Sequence, residues 1–167
     1  MKRELLVSSD IAQAAADMFL RERPHTVALA GGRTPRALYA RLAALRYDWA
    51  SLEVFFSDER CVPPDHADSN FRMATEVLLS KVPARVHRMH GETCDAAGYE
   101  VVLRAVFGKG LPAFDIVFLG LGADGHTASL FPGDPALEET RRLVVKVERA
   151  DHHRLTLTIP VLSSAAL

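Results

Sequence analysis

Three loops in this sequence combine residue types that suit chemistry on an anionic substrate, and each follows an apolar run. The first is Gly31-Gly32-Arg33-Thr34-Pro35, directly after the apolar segment 26–30. Two glycines there let the backbone turn tightly and come close to a ligand. Pro35 suits the first turn of a following helix, where its missing N–H costs nothing. Thr34 is then the N-cap or an anion donor. Free N–H groups at a helix start, backed by the helix dipole, form a cradle for phosphate, and Arg33 and Arg36 can add charge. A plain strand-to-helix turn uses the same residues. The loop is neither a GK[ST]-type phosphate loop nor a GxGxxG fingerprint.

The second loop opens with Ser57-Asp58-Glu59-Arg60. Arg60 can grip a phosphate or carboxylate with two parallel hydrogen bonds, and Asp58 and Glu59 can orient it or move protons. Three charges in a row are also what a solvated loop looks like. The third loop, residues 120–133, places Asp124 two residues before His126 among several glycines. An imidazole at such a position can serve as a general base, although a lone loop histidine can equally be structural. Arg154, at the start of another apolar run, is a further candidate anion ligand. His152-His153 has no carboxylate or cysteine at metal-ligand spacing and reads as a polar turn, so no metal site is expected.

The elements that must position these loops follow from periodicity. Residues 4–7, 26–30, 52–57, 85–89, 114–121, 143–147 and 155–159 read as strands. The run 26–30 has the continuous apolar character of a strand buried on both faces of a parallel sheet. Helices are expected over about 10–21, capped by Ser8, Ser9 or Asp10, with Ile11, Ala14, Ala15, Met18 and Phe19 on one face. Others follow Pro35 (Leu38, Leu42, Leu45), cover 70–81 behind a Ser69 cap, and span 95–107. A polar loop is expected over 58–68. Strands alternating with helices predict a three-layer, Rossmann-like α/β fold with a mostly parallel sheet flanked by helices. In such sheets ligands sit beyond the carboxyl ends of the strands, where all three loops fall.

Composition narrows the class. A 167-residue chain with 49% hydrophobic and 25% charged residues is that of one globular domain able to bury about two thirds of its unfolded surface. The formal net charge of −1 gives no global field that would recruit nucleic acid or an anionic membrane. No segment reaches the roughly 18 uninterrupted apolar residues of a membrane span, and the N-terminus lacks the apolar run of a signal peptide. A cytoplasmic protein is expected. Cys61 and Cys94 match neither a zinc nor a redox spacing, and are expected to be two reduced thiols.

At the three loops the sequence resembles the 6-phosphogluconolactonase family, through ALAGGRTPRALYARL (28–42), VFFSDERCVPPDHADSNFRMATEVLL (54–79) and FDIVFLGLGADGHTASLFPG (114–133), with RLTLTIPVLSSA (154–165) as a weaker fourth. The resemblance implies hydrolysis of 6-phospho-D-glucono-1,5-lactone to 6-phospho-D-gluconate, step two of the oxidative pentose phosphate pathway, without a cofactor. It assigns Gly31, Gly32, Arg33, Thr34, Arg60 and Arg154 to the substrate phosphate, and His126 with Asp124 to catalysis. The related glucosamine-6-phosphate deaminases carry Asp-Glu-Tyr where this chain has Asp58-Glu59-Arg60, and a glutamate where it has Phe131. A third possibility is a non-catalytic sugar-phosphate-binding domain, which has no need of His126. The chain is read as a single α/β domain over 1–167 that lacks the C-terminal third of a family member. The family implies a monomer, and a shortened chain is expected to associate through exposed apolar faces.

Overall fold

The structure, a computed structural model, describes residues 5–167. Helix α1 (Ile11–Glu22) starts where Asp10 accepts the Gln13 N–H at 3.0 Å and ends at Arg23, in the left-handed region at φ 49°. Its buried stripe is Ala12, Ala16 and Phe19, while Ile11 is 62% exposed. The buried face is therefore rotated by about one residue from the expected one, with Phe19 packed on Tyr47 and Trp49. The strand expected over 4–7 is not formed: residues 5–7 are irregular and exposed, and Glu4 lies outside the described residues.

Strand β1 (Thr26–Leu29) runs at the centre of a four-stranded sheet with β2 (Glu53–Phe56), β4 (Arg85–Val86) and β5 (Ile116–Val117), in the order β4-β2-β1-β5. All three pairings are parallel, with Ala28 opposite both Phe55 and Val117. Asp115 locks the start of β1 to β5, since one carboxylate oxygen accepts the N–H groups of His25 and Thr26 at 2.7 and 2.9 Å. At the other end of β1 the phenol of fully buried Tyr39 accepts the Ala30 N–H and donates to the Ala30 carbonyl. Burial pushes that phenol far above its ordinary titration range. Tyr39 thereby pins helix α2 (Arg33–Leu42) over the end of β1. Helices flank this sheet, as expected of the α/β class.

The expected polar loop after β2 is instead a strand. At Ser57 the chain leaves the parallel sheet, its N–H on the Leu29 carbonyl and its own carbonyl accepting from Leu157 N–H, both at 2.8 Å. It enters β3 (Asp58–Arg60), which pairs antiparallel with β7 (Arg154–Leu157), itself paired with β6 (Val144–Val147). This second sheet sets Arg60 directly opposite Arg154. Short α5 (Ile159–Ser163) follows β7, and α4 (Ala96–Phe107) lies where periodicity places it. Strand β5 is far shorter than the apolar run 114–121, whose C-terminal half is loop.

Glu59 explains why β3 stays in place despite its charges. Its side chain is buried at 2% exposure and accepts the N–H groups of Arg60, Asn70 and Phe71 and the Ser69 hydroxyl, at 2.7 to 3.0 Å. Two of those donors are first-turn groups of helix α3 (Asn70–Ala74), which a wider turn continues over Thr75–Leu79. Glu59 is thus an N-terminal anchor for α3, alongside the expected Ser69 cap, which accepts from Arg72 N–H at 3.1 Å. Burial pushes the Glu59 carboxyl up, and the four donors pull it back.

Cys61 and Cys94 are not free thiols but are joined as a disulfide, their Cα atoms 5.1 Å apart. The end of β3 and the 90–94 turn meet only in three dimensions, so a spacing of 33 residues carries no sign of it.

Two outcomes follow from these contacts. Glu59→Gln leaves N–H donors facing an amide NH₂, and should cost about 1–3 kcal/mol, lowering the thermal midpoint by about 2–12 °C in a domain of this size. Unreduced, unfolded protein should titrate with no free thiol, and with two after reduction.

Candidate active site

The end of β1, the β2–β3 junction and the loop after β5 open into one cavity of about 300 Å³. Its wall includes Gly31, Gly32, Arg33, Thr34, Arg60, His126 and Arg154, so seven of the eight residues that the resemblance assigns share one cavity. The eighth, Asp124, stands behind His126 and reaches it directly. This is the crevice beyond the carboxyl ends of parallel strands where α/β folds bind ligands.

One side of the cavity is built for an anion. Helix α2 begins at Arg33, with Gly32 rather than Thr34 as its N-cap. The first-turn N–H groups of Arg33 and Thr34 have no partner available within the helix, and they lie at the positive end of its dipole. Gly31 is needed for close packing here: a Cβ would fall 1.9 Å from Asn70 Oδ1. Arg60 and Arg154 lie side by side across the β3–β7 pair. Arg60 donates to the Asp68 carbonyl at 2.6 Å and Arg154 to the Asp151 carboxylate at 2.5 Å, yet the Nε of each is buried without a hydrogen-bond partner among the described residues. Adjacent guanidinium groups with unmet donors suit a phosphate. Arg36 takes no part, because it pairs with Glu76.

The other side carries acid–base groups. Asp124 Oδ1 lies 2.5 Å from His126 Nδ1 and also accepts the His126 N–H at 3.2 Å. The hydrogen bond from His126 holds the Asp124 carboxyl below the usual carboxylate range. A carboxylate partner at Nδ1 fixes the proton there and leaves Nε2 as the basic nitrogen. Gly122 makes this pair possible: a Cβ would fall 2.3 Å from the imidazole and 2.8 Å from Asp124.

Several members of the site had weak sequence signals. Asp58, 6% exposed, accepts from Ser129 Oγ at 2.7 Å and from Asn70 Nδ2 at 3.3 Å, and so ties the third loop to the start of α3, on which Gly31 packs. Asn70 follows an N-cap, where an asparagine usually signals only the helix start. Phe131, 6% exposed, packs on His126 with ring centroids 4.6 Å apart. The Arg149 guanidinium lies 4.0 Å from the Phe131 centroid. An aromatic residue inside an apolar stretch gives no hint of such a platform.

A family model described as glucosamine-6-phosphate isomerases/6-phosphogluconolactonase matches residues 5–167. A 6-phosphogluconolactonase of Synechocystis sp. is 44% identical over 150 residues, covering 84% of this chain and 62% of the relative. One of Nostoc sp. is 40% identical over 151 residues, covering 84% and 63%. This chain therefore spans less than two thirds of the length of these relatives. The structure of a 6-phosphogluconolactonase from Trypanosoma cruzi superposes with a TM-score of 0.88 at 30% identity, covering 98% of this chain and 77% of that one.

The geometry predicts inorganic phosphate binding that depends on both arginines. Calorimetric titration of Arg60→Ala and Arg154→Ala should each show affinity lowered by about tenfold or more, the scale of one lost charged hydrogen bond, whereas Arg36→Ala should bind as wild type.

Proposed function

We propose, from the premise that the chain belongs to the glucosamine-6-phosphate isomerase/6-phosphogluconolactonase family, that it hydrolyses 6-phospho-D-glucono-1,5-lactone to 6-phospho-D-gluconate. The observation that carries the proposal is that His126, backed by Asp124, shares one cavity with Arg60 and Arg154. One half of the site suits a phosphate and the other a proton transfer.

In this reading the phosphate is held by Arg60, Arg154 and the Gly31–Thr34 turn at the start of α2, with Arg33 adding charge at the rim. The lactone carbonyl then falls near His126. Nε2 takes a proton from water as its oxygen attacks the carbonyl carbon, forming a C–O bond and a tetrahedral oxyanion that N–H or guanidinium donors stabilise. As the intermediate collapses, the bond from carbon to ring oxygen breaks and the imidazolium returns its proton to that oxygen. The products are a hydroxyl and a carboxylic acid, which ionises. Atoms and charge balance with water alone, so the reaction calls for no cofactor. Asp124 keeps the imidazole in the required tautomer, and Phe131 packs on the ring.

A deaminase–isomerase requires an acid where Phe131 lies, and that position is apolar and packed against the base. A phosphorylated, charged substrate does not cross membranes unaided, which suits a cytoplasmic location. Among the described residues no helix is long and apolar enough to cross a membrane.

The test is lactone hydrolysis corrected for the spontaneous rate. His126→Ala should lose about 10²–10⁴-fold, the usual contribution of a general base, while still binding 6-phosphogluconate. Asp124→Asn should lose less. A His126→Ala variant as fast as wild type sinks the proposal, and binding without turnover by the wild-type chain favours a sugar-phosphate-binding domain instead.

A further inference from the structure

We propose that His66, Asp68 and His152 form a binding site for a divalent cation of the zinc type. His152 Nε2 lies 3.1 Å from Asp68 Oδ2, His66 Nδ1 lies 3.8 Å from the same oxygen, and one ligand atom from each of the three side chains falls within 4.8 Å of the other two. Tetrahedral zinc with bonds of about 2.0–2.1 Å separates its ligands by about 3.3 Å. The two Asp68 distances straddle that figure, and small ring rotations bring the imidazoles into range. Two imidazole nitrogens with one carboxylate oxygen suit zinc, copper or nickel rather than magnesium or calcium, which prefer all-oxygen shells.

The cluster is poor in positive charge. Among the described residues the Asp68 carboxylate pairs with these two imidazoles and with no lysine or arginine. Arg60 donates to the Asp68 backbone carbonyl instead, and Arg72 to that of Asp65. The side chains of His66, Asp68 and His152 are 40%, 55% and 30% exposed, leaving an open face for a water as fourth ligand. Asp68 N–H now donates to His66 Nδ1 at 3.2 Å. A bound cation replaces that contact and leaves the N–H to solvent.

The ligands come from two segments far apart in sequence, Asp68 and His152 being separated by 84 positions. One is the loop between β3 and α3, and the other is the turn entering β7. Each also carries half of the anion site: Asp68 holds Arg60 through its carbonyl, and His152 lies two residues before Arg154. A cation here therefore clips together the supports of both guanidiniums from behind, outside the cavity, where it touches no reacting group. The site stands on its own geometry and does not depend on the identity of the substrate.

The experiment is calorimetric titration of the chelator-treated, tag-free chain with zinc chloride. One saturable site is expected in the wild type. Asp68→Asn and His152→Gln, each checked for native circular dichroism, should weaken it at least tenfold. Controls at two other histidine–carboxylate pairs, His126→Ala and His90→Ala, should bind zinc as wild type. Should either test variant fail to fold, the ring resonances of His66 and His152 in the wild-type chain replace it: zinc must shift these and leave that of His126 in place. No saturable uptake by the wild type, unchanged affinity in the folded variants, or a shift confined to His126 overturns the proposal.

Discussion

Two buried carboxylates at the junction of the sheets hold the site together. Where the chain leaves β2 and turns into β3, Asp58 and Glu59 are placed at 6% and 2% exposure, positions an unpaired charge would not tolerate. Each is satisfied by donors from other parts of the chain. Glu59 gathers the start of α3 and fixes the strand that carries Arg60. Asp58 gathers Asn70, against which Gly31 packs, and Ser129, in the loop that carries His126. Phosphate-side and base-side residues are thus referred to one pair of carboxylates.

That arrangement suits chemistry that needs placement more than power. An activated cyclic ester already reacts with water, so much of an enzyme's advantage lies in holding the carbonyl, a water and a base in register. The Asp124–His126 pair is formed by residues two apart on a turn that only Gly122 allows, and its ring is backed by Phe131. The imidazole is consequently oriented by its immediate neighbours, whereas the arginine-lined half of the cavity is assembled from the turn after β1, β3 and β7 and depends on both sheets.

The segment after β3 is tied down repeatedly. The Cys61–Cys94 disulfide begins it, the Glu59 and Ser69 contacts end it, and the His66–Asp68–His152 cluster joins its middle to the β7 turn. All of these restrain the backbone around Arg60, a long side chain whose freedom would otherwise oppose ligand binding. Two neighbouring guanidiniums repel one another, and the contacts of Arg60 to the Asp68 carbonyl and of Arg154 to the Asp151 carboxylate hold each in place.

Much of the molecule was legible in the residues. Alternating apolar and amphipathic runs specified the α/β class, the parallel strands β1 and β2, helices α1 and α4 and the Ser69 cap, because periodicity and capping act over a few residues. Glycines after strands, with Arg60 and Asp124–His126 beside them, marked the loops that meet. Within the antiparallel sheet β6 and β7 lie where strands were expected, but β3 was read as polar loop, since the burial of Asp58 and Glu59 rests mainly on donors 10 to 71 residues away. The one-residue rotation of α1, the disulfide, the Phe131 platform and the His66–Asp68–His152 cluster were hidden for the same reason. By itself, then, the sequence determined the class of fold and which residues could act, through local patterning. The tertiary structure alone decided which polar groups are buried together, because satisfying a buried charge depends on partners that chain distance does not reveal.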